Sequence, residues 1–445
     1  MLSVTDIPIE IFLDNLLHLL PLNDLLSLQG TNKFFAALCS DETFWKQKLS
    51  QDFNFPDETT ARTSGWKFIY SLFGHGRMGQ PVTTNNVPFP LELKFPGTRI
   101  VNLAAAGMSF HALDSDGCIH VWGTLNGTSF ALNRDGFSES GKVAAAPLKL
   151  QLPASIRSIS WGRPFRLASD LLNTRDFTPI QVECGWNFSS ALTKSGAVLV
   201  WLPFSDPMRT AIETKMGEMD NQGGSGARST DDGLIEWFDN ALVGLTNQGH
   251  VLLFDSISDV SRGNWQYLPN FSEASRIGNH PTFSDGELKA SENFKITHVS
   301  AHFRTFIAYS ESVVLIGQTG TKPDSKPKII PGLQNRSVIS VVLGDYHYAA
   351  VTATGKLLTW GGYSDGALGL VGTPGGFADE AQRVHAMETR RGTPPHVDSP
   401  TEVRFDHHRK RPKDRFCISA TASGWHTGAL VIDLEASIHI TFIAC

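Results

Sequence analysis

The chain has 445 residues, 41% of them hydrophobic and 18% charged, with a formal net charge of −6; this leaves room for a small and a large domain, and so modest a charge gives no general attraction to nucleic acid. Its five cysteines, Cys39, Cys118, Cys184, Cys417 and Cys445, are odd in number and contain no CxxC pair, which argues for free thiols in a reducing compartment and against a disulfide framework. No apolar run reaches membrane-spanning length, and the apolar stretch from Ile11 to Leu20 lacks the basic flank and cleavage site of a signal peptide.

Residues 1–53 carry a helical period. Pro8 suits a first helical turn, with Asp6 before it as a candidate N-cap. Ile9, Phe12, Leu13, Leu16, Leu17 and Leu20 recur at three- and four-residue spacings, and Pro21 ends that helix. Asn23 and Asp24 precede a second helix with Leu25, Leu26 and Leu28, stopped at Gly30. Asn32 and Lys33 begin a third, carrying Phe34, Phe35 and Leu38, and Trp45 and Leu49 lie on a fourth. So few short helices cannot bury this many Leu and Phe alone, and exposed apolar helix surface implies a partner.

The pattern Ile7-Pro8-x-Glu10, Leu16-Leu17, Leu25-Leu26-x-Leu28, Lys33-x-Phe35, Asp41-x-x-x-Trp45-Lys46 and Leu49 closely resembles an F-box over residues 5–53, with Ile7 where that family usually has Leu. The resemblance implies docking on the Skp-type adaptor of a cullin ubiquitin ligase through Ile7, Pro8, Ile11, Phe12, Leu16, Leu17, Leu25, Leu28, Phe35, Leu38 and Trp45. The plain alternative is a helical cap on the domain that follows. Residues 54–71 read as a connector, loop-like at Pro56, Thr59-Thr60 and Thr63-Ser64, with Trp66, Ile69, Tyr70 and Phe73 back at helical spacing; Pro88, Pro90 and Pro96 mark the entry to the next domain.

Beyond that entry one phrase recurs. Its clearest copy runs from Val342 to Gly361: a Gly, a β-compatible run, a polar turn ending in Gly, and an alternating run ending in Trp. Gly344, Gly355 and Trp360 have counterparts in Gly185, Gly196 and Trp201, and again in Gly107, Gly117 and Trp122, where the first interval is one residue shorter. A fourth copy keeps Gly249 and puts Phe254 at the Trp position. The turn Gly suits a positive φ, and the Trp is expected to pack against the next sheet. Such units bury their apolar faces only against neighbours, and small sheets stacked radially form a β-propeller. Seven openings fall near Gly107, Gly162, Gly185, Phe238, His302, Gly344 and Gly424. The Gly162 unit has no second strand before Gly185, so that blade is incomplete or a segment has been lost.

The ends look complementary. Ser423–Asp433 is a first half without a second, and Leu72–Gly79 resembles a second half without a first, so joining them would close the ring. Ile438–Phe442 also alternates and could supply a strand; the other reading of this tail is a disordered terminus. The segment Trp360-Gly-Gly-Tyr-Ser-Asp-Gly366-Ala-Leu-Gly369 resembles the hallmark of the regulator-of-chromosome-condensation repeat family, whose members form seven-bladed propellers. That resemblance covers roughly 72–434. Together with the helical segment it resembles the fungal SCF-associated-factor type of F-box protein.

Catalytic patterns fail on their own terms. Gly74-His-Gly-Arg-Met-Gly79 matches a dinucleotide fingerprint, but Gln80–Thr84 is a poor helix. Gly136–Val143 misses a P-loop, because Val143 offers no hydroxyl and Pro147 interrupts any helix. His407, His408 and His426 have no Cys or carboxylate at a ligand spacing. The basic run Arg409–Arg415 reads as an exposed charged loop, with a nuclear localisation signal or an acid-binding patch as its sharper reading.

The expected architecture is thus a small all-α F-box module (1–53), a partly helical connector (54–71), an all-β seven-bladed propeller (72–434) and a tail (435–445). Catalytic, cofactor and metal residues are not expected. The expected role is that of a cytoplasmic or nuclear substrate receptor: a Skp-type adaptor, and through it a cullin and a RING subunit, on the helices, and a client protein on the propeller. Nucleic acid and membrane are not expected partners. The alternatives are a guanine-nucleotide exchange factor for a small GTPase and a scaffold without ligase coupling. Three insertions, Ser205–Gly233, Ser256–Asn293 and Val371–Arg415, exceed hairpin length and are candidates for client contacts.

Overall fold

Over residues 8–53 the helical period folds as short helices with shifted boundaries: Pro8 precedes the first helix, and Asn23 and Asp24 lie inside the second. In the computed structural model, α1 (Ile9–Ile11) runs on through a wide turn, Phe12–Leu16, and a tight one, Leu17–Leu19. Then come α2 (Leu22–Gln29), α3 (Lys33–Leu38) and α4 (Glu42–Phe53). Asn32 and Asp41 cap α3 and α4, accepting from the amides of Phe35 (3.0 Å) and Phe44 (2.7 Å), which satisfies donors that a helix start leaves open. After a turn at Asp57–Thr59, α5 (Trp66–Phe73) lies back on α4. The structure describes residues 8–73, 91–93, 95, 97–106, 109–125, 142–150, 179–184, 189–201, 234–238, 241–254, 265–284, 294–362, 367–370, 396–405, 415–424, 426–434 and 437–443. Asp6, Ile7, Gly107, Gly162, Gly185 and Gly366 lie outside the described residues.

Six antiparallel sheets follow among the described residues. Apart from β1 (Leu91–Leu93), they come in chain order: β2 (Ile100–Ala106), β3 (Ser109–Asp114), β4 (Ile119–Leu125) and β5 (Lys142–Lys149); β6 (Pro179–Cys184), β7 (Ser189–Thr193) and β8 (Val198–Trp201); β9 (Leu234–Phe238), β10 (Ala241–Leu245), β11 (Val251–Phe254) and β12 (Trp265–Tyr267). Next are β13 (His298–His302), β14 (Thr305–Tyr309) and β15 (Val314–Gln318); β16 (Val338–Leu343), β17 (His347–Thr352), β18 (Leu357–Gly362) and β19 (His396–Glu402); and β20 (Arg415–Ser423), β21 (His426–Asp433) and β22 (Ser437–Ile443). Neighbouring sheets meet chiefly through their first strands: β6 on β9, β9 on β13, β13 on β16, β16 on β20, and β20 on β2. These sheets are the blades of a β-propeller, with first strands innermost. The Gly162 opening falls in sequence between β5 and β6.

Both ends of the propeller meet in one blade, but by other segments than Leu72–Gly79. β1 pairs with β22, Leu91 opposite Phe442 and Leu93 opposite Ile440, and β22 pairs with β21 along its length. Leu72 and Phe73 instead finish α5, and 74–79 lie outside the described residues. The segment read as a tail beyond 434 supplies the third strand, pairing along the edge that β21 would otherwise leave open.

The repeat residues have specific tasks. Gly117, Gly196, Gly249 and Gly355 all turn at positive φ between second and third strands. Gly344 is needed for space: a Cβ there would fall 2.1 Å from the ring of His347. Trp360 is 2% exposed and stacks on Tyr348, its cross-strand partner, with centroids 5.4 Å apart. It shares a cluster with Ile307, Tyr309 and Ile316 of the preceding blade. Its packing is therefore within its own sheet and backward, where the sequence reading had placed it against the next sheet. Trp122 stacks likewise on Phe110.

Candidate interaction surfaces

The helical module divides its apolar residues in two. Phe12, Leu17, Leu25, Leu38 and Trp45 are buried, and Leu28 and Phe35 pack half-buried against them. The buried ones belong to the module's core, while Leu28 and Phe35 keep part of their surface exposed. Lys48 is buried with them: its ammonium donates to the carbonyl of His18 (2.8 Å) and pairs with Asp52 (2.9 Å). Asp52 also accepts from the Tyr70 hydroxyl at 2.6 Å, and burial together with that bond raises the phenol pKa. Pro8, Ile11 and Leu16 remain exposed, and so do three residues absent from the sequence-read site or unweighted in it: Ile9, Leu19 (79% exposed) and Leu26.

The module is locked to the propeller, and the two share one core. Phe53, Phe55, Trp66 and Phe73 share one continuous core with Leu93, Phe95, Ile100, Phe416 and Ile418. Between α4 and α5 the connector crosses three blades. The Ala61 amide donates to the Ile339 carbonyl (2.7 Å), Arg62 donates to the Ala353 carbonyl (3.1 Å) and lies over the Phe416 ring, and Thr63 bonds Glu311 through its amide and hydroxyl (both 2.9 Å). Burial lowers the Arg62 pKa, an effect that Glu311 and Glu42 offset in part. No sequence signal marks Arg62, a lone cation in a Thr/Ser/Gly stretch whose partners are set by tertiary packing.

Strand register shows which rim this is. Ala353 and Glu311 lie in turns between second and third strands, and Ile339 and Phe416 near the starts of first strands. The helices therefore cover the rim where first strands begin. The opposite rim holds the turns between first and second strands and the ends of third strands, since Leu125 pairs with Lys142, Phe254 with Trp265, and Gly362 with His396. Leu125, Lys142, Phe254, Trp265, Gly362 and His396 thus lie on the rim away from the helices, and so does Trp201 at the end of its third strand. Of the three insertions read from sequence, Ser205–Gly233 lies outside the described residues, and so do 256–264 and 285–293 of the second and 371–395 and 406–414 of the third.

The seams on that rim are polar. His302 Nε2 is 2.8 Å from Asp345 Oδ1, the Asp345 amide donates to the Gly424 carbonyl (3.1 Å), and His347 Nε2 is 2.8 Å from the Thr427 hydroxyl. Burial, with a smaller contribution from His426, lowers the His347 pKa to about 4. His426 stacks edge-on against Phe110; His407 and His408 lie outside the described residues. Among the described residues no three His, Cys, Asp or Glu side chains gather as metal ligands, and no helix is long and apolar enough to cross a membrane.

Residues 338–366 match the regulator of chromosome condensation repeat. Over 140 residues the chain is 31% identical to SCF-associated factor 1 of Saccharomyces cerevisiae, covering 31% of this chain and 20% of that protein. Over 312 residues it is 24% identical to Protein pim1 of Schizosaccharomyces pombe, covering 62% and 49%. The matches thus span a fifth and about half of the length of these curated relatives. Both resemblances read from the sequence, to the fungal SCF-associated factor and to the chromosome-condensation repeat, stand. Similar solved structures include Prp20p from Saccharomyces cerevisiae (TM-score 0.35, 15% identity, 78% of this chain and 70% of that one) and human WBSCR16 (TM-score 0.34, 12% identity, 83% and 81%).

Proposed function

We propose that this protein is the substrate-recognition subunit of an SCF-type cullin ubiquitin ligase. Its helical module is an F-box that docks on a Skp-type adaptor, and through it on a cullin and a RING subunit. Its propeller, seven-bladed once the Gly162 unit is counted, holds the client. The observation that carries this is the second apolar surface of the helical module. One side is consumed by the propeller, yet Ile9, Ile11, Leu16, Leu19 and Leu26 still face solvent. A cap that served the propeller alone would need no such surface. The similarity to SCF-associated factor 1 supports the same reading. The receptor itself makes no covalent bond; it raises the effective concentration of client lysines beside a charged conjugating enzyme.

Burying one Leu or Ile contributes about 1.5–3 kcal/mol. Replacing Ile11 and Leu16 together with Asp should therefore weaken adaptor binding at least tenfold while circular dichroism stays unchanged. The assay is recovery of adaptor and cullin with the full chain. Recovery of a nucleotide-free small GTPase in their place would favour the exchange-factor reading, and recovery of neither would favour a scaffold.

A further inference from the structure

We propose that the rim away from the helices carries a peptide-binding spot at Phe303, Arg304 and Tyr346, which takes a short client segment bearing Asp or Glu beside an apolar side chain. The turn between β13 and β14 consists of Phe303 and Arg304, since His302 pairs with Thr305. Phe303 has φ of +53°. A two-residue hairpin loop itself calls for positive φ at its first residue; what is unusual is that Phe fills the position, where Gly or Asn would be less strained. Burial does not explain it, because the ring is 42% exposed. On the neighbouring blade Tyr346 is 55% exposed, and the two rings meet edge to face with centroids 5.8 Å apart. Two adjacent turns thus hold two aromatic side chains outward as a joint apolar platform.

Charge sets what sits beside it. The Arg304 guanidinium lies 5.5 Å over the Phe303 ring and is exposed. The carboxylate of the neighbouring turn, Asp345, is engaged by His302, and among the described residues no carboxylate pairs with Arg304. An Arg near an aromatic face with no carboxylate of its own keeps its forked donors available for a ligand's carboxylate. Exposed Tyr, Phe and Arg together are the residue types that anchor protein interfaces. The complementary ligand carries a carboxylate next to an apolar side chain that covers the Phe303–Tyr346 platform. The inference rests on the proposed receptor role only in naming the segment a client's.

The probe is a pool of labelled nonapeptides with a fixed central Leu-Asp or Leu-Glu, set against a Leu-Asn/Leu-Gln pool and a Leu-phosphoserine pool, each titrated onto the full chain. The acidic pool should bind, and Arg304→Glu and Phe303→Gly should each weaken it at least tenfold. Phe303→Gly should melt no lower than the parent, because Gly accepts the positive φ, so lost binding cannot be ascribed to lost structure. Equal binding of acidic and amide pools, binding confined to phosphoserine, no binding, or an acidic-pool affinity untouched by Arg304→Glu would overturn the proposal. Adaptor recovery is measured on the same preparations. Adaptor recovered without acidic-peptide binding sinks the peptide spot alone; acidic-peptide binding without adaptor sinks the receptor role alone.

Discussion

Two glycines at nearly the same φ provide a test of what the repeat glycine does. Gly355 (φ +78°) and Gly320 (φ +83°) both pay the same conformational cost when changed to Ala, about 1–2 kcal/mol for a left-handed L-residue. They differ in surroundings. A Cβ on Gly320 meets nothing within 4 Å, whereas one on Gly355 would lie 2.3 Å from the ring of Phe416 on the next blade. Phe416 has little room to retreat. It is buried, Arg62 lies over its face at 5.6 Å, and Phe68 meets it edge-on at 5.3 Å. Overpacking at such a site adds about 1–3 kcal/mol, so Gly355→Ala should cost about 2–5 kcal/mol in total. Urea unfolding of both variants, followed by circular dichroism and tryptophan fluorescence, gives the two losses. Equal losses would refute the argument that the repeat glycine makes room for the neighbouring blade.

Acid should loosen the ring through His347. Its folded pKa of about 4 lies below the unfolded value near 6.5. The stabilisation is therefore complete above about pH 6.5 and is lost as pH falls toward 4, by about 3 kcal/mol in all. His347→Asn should flatten that part of the stability–pH curve, and an unchanged slope would rule the mechanism out. Deleting residues 437–445 removes the strand paired with both β1 and β21. At about 0.5–1.5 kcal/mol per backbone hydrogen bond, the melting temperature should drop and light scattering rise; a deletion variant that melts like the full chain would show that β22 does not close the ring.

Much of this was legible because it is local. Turn glycines and period-two runs fix strand, turn, strand without reference to the rest of the chain. What was not legible depends on which neighbour an element meets. Leu16 and Leu17 are adjacent members of one apolar stripe, yet Leu17 is buried and Leu16 is 44% exposed. Periodicity gives the angle between them but not which side the propeller takes. The closing strand Leu91–Leu93 is three residues long and lies among prolines, too short for any alternation to register. The sequence reading placed that unit's opening at His302 and gave Phe303 no weight, because only the fold shows its ring exposed in the turn.

On the proposed receptor role, the connector decides which client lysines can be reached. A flexible linker would spread the client over many positions and lower its effective concentration at each. Here hydrogen bonds from Ala61, Arg62 and Thr63, with Arg62 over the Phe416 ring, tie the helices to three blades, which fixes the distance from the helical module to the far rim. The propeller's depth lies between them: a six-residue strand such as β17 spans about 20 Å. A client seated on the far rim is therefore presented from one direction and at one height. Lysines close to its bound segment stay on the side turned away from the adaptor, and the ones that can be modified belong to parts of the client that extend past the edge of the ring. Selection among lysines then follows from distance and direction, with no need for the receptor to read the sequence around them.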